Sequence, residues 1–431
     1  MAEWGDNLLM DTTGKDRLTE TLSHGFSGPL LFHYVWWVLY HAKKRDIKTL
    51  WFLARDGYLL REIALCFCKQ FHLPIDCRYL YVSRASLRMP TYHFIGDEAW
   101  ELLTHNGYYV TPRSLLQRAE LNREQRSAVY EDCGMKAPDE TCLLNHAEMD
   151  AWRNALKISP VYHKFVREKS KAVYQDAIGY LRQEGLFDQD HVALVDTGWT
   201  GSMQRSIRQL LQSDGYIGTF TGFYYGMYAA PRSPEDGVYL TWYFDRESSP
   251  RDKILFCNNL FECMLPAPHG MTVGYQSAGG VYAPVTLAPP EGEELAHIQS
   301  RINAVLDYAR DRLEQTDFKA FSPEASIRDT RKLIRRYMAR PSREEAAYFG
   351  RALFCDDITE AYLLSLADES QVQALKRYSI PSRVWGRLLS KKVTEAQLFW
   401  PYGTVAFLPK WKQWWYRWSV YVWEWLRYEL H

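Results

Sequence analysis

The stretch HVALVDTGWTGSMQRSIRQL, residues 191–210, decides the fold class predicted for this chain. The apolar run Val192 to Val195 ends in Asp196, and a loop rich in glycine and hydroxyl groups then leads into apolar residues at helical spacing. This order predicts a strand, a tight loop and a helix. The free N–H groups and the dipole at the start of a helix favour an anion there, and hydroxyls add donors. We therefore predict a site for a phosphorylated sugar, formed by Thr197, Gly198, Thr200, Gly201 and Ser202.

A plain strand–helix connection also explains the same loop. Glycine, serine and threonine are ordinary residues of turns and helix N-caps. Neither of the two common phosphate motifs, G-x-x-x-x-G-K-[ST] and G-x-G-x-x-G, occurs in the chain. The loop alone leaves both interpretations open.

A second segment, Thr49–Leu65, TLWFLARDGYLLREIAL, repeats this design. Its apolar run ends in the polar loop Arg55-Asp56-Gly57, and a third strand, Arg78–Val82, ends in Ser83-Arg84. An arginine can place two hydrogen bonds on phosphate oxygens, and a carboxylate suits a ribose hydroxyl or a Mg²⁺ ion. The carboxyl ends of parallel strands meet at one edge of a sheet. We therefore expect one crevice surrounded by Asp56, Arg84 and Asp196.

The order of these segments is similar to the core of the type I phosphoribosyltransferases. In that family the first loop holds pyrophosphate and the last loop holds the 5-phosphate of phosphoribosyl pyrophosphate. The family's last motif has two adjacent acidic residues, whereas this chain has Asp196 alone. The segments ARDGYLLREI and VDTGWTGSMQ resemble more closely a bacterial surface-polysaccharide group, the phosphoribosyltransferase-like ribofuranosyltransferases, which occur beside or fused to haloacid-dehalogenase-type phosphatases. The resemblance covers residues 45–90 and 165–280.

The resemblance implies a glycosyltransferase that moves a 5-phosphoribofuranosyl group from phosphoribosyl pyrophosphate to a sugar hydroxyl of a glycan acceptor. The transfer inverts the configuration and releases pyrophosphate, and a separate haloacid-dehalogenase-type phosphatase acts on the β-ribofuranoside 5-phosphate. The setting implied is O-antigen or capsule biosynthesis in the cytoplasm. An acceptor carried on lipid would bring the chain to the inner face of the cytoplasmic membrane.

The resemblance also implies a role for each crevice residue. The loop after Asp196 holds the 5-phosphate, and Asp196 holds the ribose hydroxyls. Arg55, Gly57 and Arg84 hold the pyrophosphate, with Asp56 as a ligand of its Mg²⁺. Because positive charge develops at C1 as pyrophosphate leaves, Mg²⁺ and arginine lower the barrier electrostatically. The attacking hydroxyl needs a base, and three candidates stay open: Asp56, Asp196 and Glu262.

The segment NNLFECMLPAPHGMTVGY, residues 258–275, supplies two further candidates. Glu262 stands among apolar residues, which disfavour a charged carboxylate and suit it to act as a base. A surface helix position without a role is the alternative. His269 precedes Gly270, so we expect either a turn residue or a ligand of the acceptor sugar.

Two other functions fit the same loops. A phosphohydrolase or another phosphosugar enzyme would use the phosphate site without an acceptor, although the D-x-D-x-T pattern is absent. A non-catalytic assembly partner at the membrane would bind no donor. The formal net charge of +0 argues against a nucleic-acid partner. The segment MAEWGDNLLMDTTGKD lacks the pattern of a signal peptide, and the eight cysteines lack zinc spacing, so we expect free thiols in a cytoplasmic enzyme.

The domain organisation predicted is an α/β core with helical additions. We assign residues 1–84 and 160–288 to the core, 85–159 to a helical insertion and 289–431 to a helical C-terminal region. The tail Trp411–Leu430, WKQWWYRWSVYVWEWLRYEL, carries too many charges to span a bilayer. Its stripe of Trp415, Trp418, Val422 and Trp425 predicts a helix that either lies in the lipid headgroup region or packs on protein.

Overall fold

Five apolar segments form one all-parallel sheet at the centre of the computed structural model. The structure describes residues 12–105, 110–135, 139–354, 363–378 and 398–429. The strands are β1 Thr49–Leu53, β2 Asp76–Leu80, β3 His191–Trp199, β4 Thr219–Met227 and β5 Val238–Phe244. Their order in the sheet is β2-β1-β3-β4-β5. The order therefore reverses between β1 and β3, which is where open parallel sheets bind ligands.

Helices cover both faces of this sheet, and this explains why its strands are almost continuously apolar. The helices of the first half are α1 Thr12–Leu22, α2 Gly28–Lys44, α3 Gly57–Phe71, α4 Arg84–Arg88, α5 Asp97–Leu103, α6 Pro112–Gln117, α7 Arg123–Asp132, α8 His146–Ile158, α9 Pro160–Gln183 and α10 Ser202–Ser213. Alternate residues of β1 serve different faces: Leu50 and Phe52 pack with α2 and α3, whereas Trp51 and Leu53 pack with α9 and α10. The predicted α/β class with a parallel sheet is confirmed.

Two boundaries differ from the sequence prediction. β2 ends at Leu80, two residues before the predicted end at Val82, and Ser83 caps α4 by accepting a hydrogen bond from the N–H of Ser86 at 3.1 Å. β3 continues beyond Asp196, because Gly198 and Trp199 still pair with β4. The first three residues of the predicted loop are therefore strand, and the turn before α10 is shorter than predicted.

The segment predicted as an insertion is helical. Helices α5 to α8 lie there, and with the start of α9 they enclose an apolar cluster that includes Leu103, Leu116, Val129 and Trp152. This cluster is separate from the two that line the sheet.

The described residues after 289 are mainly helical, and they follow a hairpin that the sequence analysis missed. The hairpin pairs β6 Thr272–Ala278 with β7 Val281–Thr286, and a small pair joins β8 Leu353–Phe354 to β9 Leu364–Ser365. The remaining helices are α11 Pro250–Leu255, α12 Asn258–Cys263, α13 Gly292–Glu314, α14 Pro323–Leu333, α15 Arg343–Gly350, α16 Pro401–Val405 and α17 Lys410–Glu429. In the described ranges, no helix has both the length and the apolar character needed to cross a membrane. The seven cysteines in those ranges are unbridged, and Cys355 lies outside them.

Candidate active site

A hydrogen bond across the reversal point of the sheet joins the two predicted ligand loops. The hydroxyl of Thr197, on β3, donates to Oδ2 of Asp56, in the turn after β1, at 2.6 Å. The N–H of Thr197 donates to Oδ1 of Asp196 at 2.9 Å. Thr197 is buried, so in this arrangement it positions two carboxylates. This role differs from the direct contact with the 5-phosphate that the sequence predicts for Thr197.

The three predicted acidic residues meet at this crevice. Burial raises the pKa of Asp196 well above its ordinary value, and the charges of Asp56 and Glu262 raise it further. Burial also raises the pKa of Asp56, whereas the Thr197 hydrogen bond and the charges of Arg55 and Arg84 lower it. Without a bound cation, burial and mutual repulsion therefore favour a protonated Asp196.

A tryptophan that the sequence analysis did not single out holds the third carboxylate. Nε1 of Trp199, at the end of β3, donates to Oε1 of Glu262, on α12, at 2.5 Å. The Trp199 ring packs against Phe256 and Phe261, with ring centroids 5.3 and 6.1 Å away. Glu262 is thus fixed beside the end of β3, although α12 follows this strand by about sixty residues.

The start of α10 offers exposed donors to an anion. Thr200 is exposed and Ser202 partly so, and within the described chain neither hydroxyl has a hydrogen-bond partner. α10 has 12 residues, enough for its dipole to act on an anion at Ser202. Tyr34, on α2, supports the strand below, because its one hydroxyl proton is shared between the carbonyl oxygens of Asp196, 2.7 Å away, and Phe223, 2.8 Å away.

The three predicted glycines are required by packing within the chain. Gly201 has φ +68°, and a Cβ there would lie 2.3 Å from the ring of Tyr239. A Cβ on Gly198 would lie 2.0 Å from the carbonyl oxygen of Gly226, and one on Gly57 would lie 2.7 Å from the carbonyl carbon of Phe52. Close approach of a phosphate is therefore not needed to explain these glycines.

Positive charge is concentrated at one side of the crevice. Arg55 and Arg84 are exposed, and the charge of each lowers the pKa of Asp56. Arg88, one helical turn after Arg84, was not predicted, although its spacing of four residues was visible in the sequence. Burial lowers the pKa of Arg88 to about 10, and the charges of Arg84 and Arg118 contribute. In the part of the chain described, Arg84 forms no ion pair, and its charge acts on both Asp56 and Asp196, so an anionic ligand there would neutralise it.

His269 lies within reach of the charge of Arg55, inside an aromatic cluster. A carbonyl oxygen can only accept, so the contact of Nδ1 with Gly270 O at 2.8 Å places the proton on Nδ1, and Nε2 then accepts from the Tyr79 hydroxyl at 2.7 Å. Burial, aided by the charge of Arg55, lowers the pKa of His269, which keeps the ring neutral. Its two nitrogens are therefore occupied within the protein.

Two tyrosines beside His269 complete a surface that we call the aromatic rim: Tyr58, Tyr81 and His269. The ring of Tyr81 lies 4.8 Å from that of His269, and the ring of Tyr58 lies 6.3 Å from it. Both tyrosines are partly exposed, and within the described residues neither hydroxyl has a hydrogen-bond partner. The Tyr79-x-Tyr81 spacing could have indicated this surface, because alternate residues of an extended chain share a face.

The carboxylates fit the modest demand that Mg²⁺ makes when it binds together with a phosphorylated substrate. Among the residues described, no three His, Cys, Asp or Glu side chains come together as a metal site. Mg²⁺ bound to substrate phosphates needs only one or two protein carboxylates, since phosphates and water supply the remaining ligands. Asp56 and Asp196 are suitable oxygen donors, and their repulsion would be relieved by a cation.

The sequence matches no protein-family model and no curated protein. The function is therefore inferred from the crevice itself. Three kinds of group come together there: hydroxyls at the start of α10, the arginines Arg55 and Arg84, and the carboxylates of Asp56, Asp196 and Glu262. Such a crevice can hold a ligand that carries an anion at each end and develops positive charge between them.

Proposed function

We propose that this crevice transfers a 5-phosphoribofuranosyl group from phosphoribosyl pyrophosphate to a sugar hydroxyl of a glycan, with inversion and release of pyrophosphate. The observation that carries the proposal is the Thr197–Asp56 hydrogen bond, which fixes the arginine-bearing turn after β1 to β3, the strand that leads into α10. In this proposal each of the two loops offers one anion-binding position, and Asp56 and Asp196 lie where the loops meet. Phosphoribosyl pyrophosphate has this pattern of charge, with a phosphate at C5 and a pyrophosphate at C1.

The start of α10 receives the 5-phosphate in this proposal. The backbone N–H groups after Gly201 and the hydroxyls of Thr200 and Ser202 would donate to it. Arg55 and Arg84 receive the pyrophosphate, and the first N–H groups of α3, from Gly57 onward, add donors. Gly198 and Thr197 act indirectly, since they shape and fix the loop between the two anions.

The carboxylates act on the ribose. Asp196 lies deepest and would accept hydrogen bonds from the ribose hydroxyls, and its negative form would stabilise the positive charge that develops at C1. Asp56 would share the Mg²⁺ that accompanies the pyrophosphate. When bound, that ion supplies charge neutralisation to the departing pyrophosphate. Arg55 and Arg84 provide the same kind of stabilisation from the protein.

The acceptor enters from the side of Glu262 and the aromatic rim. Glu262 is oriented by the hydrogen bond that Oε1 accepts from Trp199, and its carboxylate is the candidate to take the proton from the attacking sugar hydroxyl. Tyr58 and Tyr81 would pack against the C–H face of a sugar ring and donate from their hydroxyls. His269 would hold Tyr79 and shape this rim, because its ring nitrogens are already occupied.

The product of this reaction, a ribofuranoside 5-phosphate, requires a phosphatase to become a plain ribofuranoside. We therefore propose a separate haloacid-dehalogenase-type phosphatase as the functional partner, in O-antigen or capsule biosynthesis. The donor is a cytoplasmic metabolite, so we place the reaction in the cytoplasm. A lipid-linked glycan acceptor would bring it to the inner face of the cytoplasmic membrane.

Calorimetric titration with phosphoribosyl pyrophosphate and Mg²⁺, with nucleotide sugars for comparison, tests the proposal. Arg84→Ala should weaken donor binding about 10- to 100-fold, the effect of losing charge-assisted hydrogen bonds worth about 1.5–3 kcal/mol. The matched control is Arg182→Ala, because Arg182 pairs with Asp214 near the start of β3, away from the crevice. Equal affinity of both variants for the donor would contradict the proposal. Hydrolysis of the donor without an acceptor would instead indicate a phosphohydrolase, and absence of donor binding a non-catalytic protein.

A further inference from the structure

The tail helix α17 has one face fixed to the protein. Ser419 and Val420 are fully buried, and Nε1 of Trp423 donates to the carbonyl oxygen of Tyr378 at 2.8 Å. The helix therefore packs on the protein through this side. That contact meets one of the two expectations for the tail, and it leaves the opposite side uncovered.

The uncovered side is made of tryptophan. Trp411 and Trp414 are 77% and 72% exposed, and three further tryptophans are each more than 40% exposed. At about 100° per residue the five side chains fall within an arc of about 100°. The set, which we call the tryptophan face, comprises Trp411, Trp414, Trp415, Trp418 and Trp425. Soluble proteins rarely expose a continuous apolar patch of this kind unless something binds it.

The charges around the tryptophan face select an anionic lipid surface. Residues 410–418 carry the exposed Lys410 and Lys412 and no acidic residue, whereas Arg417 is turned to the protein and donates to the carbonyl oxygen of Pro341 at 3.4 Å. Tryptophan prefers the boundary between water and lipid, where its ring is apolar and its N–H remains hydrated. Basic residues beside such rings add attraction to anionic headgroups.

The far end of the same helix lies against the wall of the crevice. The Tyr428 ring stacks with that of Tyr228, 6.4 Å away. The Tyr228 ring lies 6.2 Å from that of Trp199, the residue whose indole binds Glu262. Trp425, a member of the tryptophan face, is one turn from Tyr428. A surface bound to this face would therefore lie close to the side of the crevice where the acceptor enters.

We propose that the tryptophan face of α17 binds an anionic lipid surface and so presents the acceptor side of the crevice to that surface. The lipid binding follows from exposure and charge alone. The second part, that the acceptor is a glycan carried on a membrane lipid, rests on the proposed transferase function. A second copy of the chain is the competing occupant of this face.

Vesicle flotation with the full chain tests the lipid binding. The protein should float with vesicles of phosphatidylglycerol and phosphatidylethanolamine, not with phosphatidylcholine alone, and added salt should weaken the binding. The Lys410→Gln/Lys412→Gln variant should bind about 25-fold more weakly, at about fivefold for each lysine. The Trp411→Ser/Trp414→Ser/Trp415→Ser variant should lose binding to anionic vesicles. It should keep the parent's thermal unfolding midpoint, because the three tryptophan side chains that it lacks are exposed in the parent.

The matched control is Ile158→Ser with Ile217→Ser, because these isoleucines are 81% and 97% exposed on other surfaces. This variant should bind vesicles as the parent does. Equal binding by the tryptophan variant, or a parent that ignores anionic vesicles, would overturn the proposal. A dimer in light scattering that the tryptophan variant abolishes would also overturn it, in favour of a second copy. Donor affinity in solution should be unchanged in the tryptophan variant, so failure of the transferase function and failure of lipid binding give different results.

Discussion

Replacing Thr197 by valine removes the hydrogen bond that joins the two loops and changes little else. Valine has nearly the same shape, and the backbone N–H of residue 197 can still donate to Asp196. Thr197 is 2% exposed, and its bond to Asp56 is 2.6 Å long. The substitution therefore leaves the Asp56 carboxylate with one donor fewer in a place that water hardly reaches.

The expected loss in free energy of unfolding is about 1.5–3 kcal/mol, the usual contribution of a hydrogen bond to a charged group. Burial raises the folded-state pKa of Asp56 and the Thr197 bond lowers it, so valine should raise this pKa further. A carboxyl group with a raised folded pKa contributes stability below its unfolded pKa and loses it as the pH rises through the folded pKa. The destabilisation should therefore be largest at neutral and alkaline pH and shrink towards about pH 4.

Urea unfolding at about pH 4 and pH 8 measures this effect, and the acid limb of turnover should move to higher pH in the variant. Thr330→Val is the matched control, because Thr330 is also fully buried and, within the described residues, its hydroxyl has no hydrogen-bond partner. The control should be neutral or stabilising. Equal losses in the two variants, or a loss at Thr197 that does not depend on pH, would refute the reasoning.

Three further predictions concern the carboxylates and the aromatic rim. Asp196→Asn should raise the free energy of unfolding at about pH 8 by at least about 1 kcal/mol, because burial raises the Asp196 pKa and Asn carries no charge there. The same substitution should lower turnover about 100-fold. The gain in stability should vanish as the pH falls towards about 4, and a less stable variant in urea unfolding at about pH 8 would count against it. Glu262→Gln should lower kcat about 100-fold at unchanged donor affinity, and an unchanged rate would assign the base to an aspartate. Tyr81→Ala should raise the acceptor KM about tenfold or more at unchanged calorimetric donor affinity, whereas a change in donor affinity alone would place the rim on the wrong side.

The sheet and its helices were largely predictable because hydrophobic periodicity carries that information. The predicted apolar run Val192 to Val195 lies within β3, and the segment Thr49–Leu65 forms strand β1 and helix α3 as expected. β2 was misplaced by two residues because Tyr81 and Val82 favour strands locally, whereas pairing of Leu53 with Leu80 ends the ladder earlier. The strand preference of Tyr81 and Val82 and the pairing of β2 with β1 thus predict different ends for β2, and the pairing determines the observed end.

The hairpin of β6 and β7 was predictable but was missed. Gly279 and Gly280 have φ +59° and +81°, the conformation that a two-residue hairpin turn requires, and Gly-Gly between two strand-like segments is its signal. The hydrogen-bond partners within the crevice, by contrast, could not be predicted from the sequence. The partners Thr197 and Asp56 are 141 residues apart, and Tyr79 and His269 are 190 apart. A single sequence gives the residue types at such distances, not which of them touch.

The packing around the crevice decides which substitutions can test the crevice without disturbing the fold. From sequence alone, Gly201→Val would be expected to block the phosphate and leave the fold intact. The structure instead places the Tyr239 ring 2.3 Å from a Cβ at Gly201, in a left-handed backbone conformation. Valine there would disturb the packing of β5 on the loop, so loss of donor binding would have two causes. Thr197 and Arg84 are cleaner positions.

The hydrogen bonds that Tyr34 forms beneath the crevice constrain the order in which the chain can fold during synthesis. Its hydroxyl bonds to residues 162 and 189 positions later. At about 5–20 residues per second, the ribosome needs about 10–40 s to deliver them. Throughout that interval the apolar side of α2 has no strand β3 or β4 to cover it. The helices between β2 and β3 enclose their own apolar cluster and can fold in the meantime. We therefore expect the N-terminal helix to need protection by a chaperone on nascent chains until β4 has emerged.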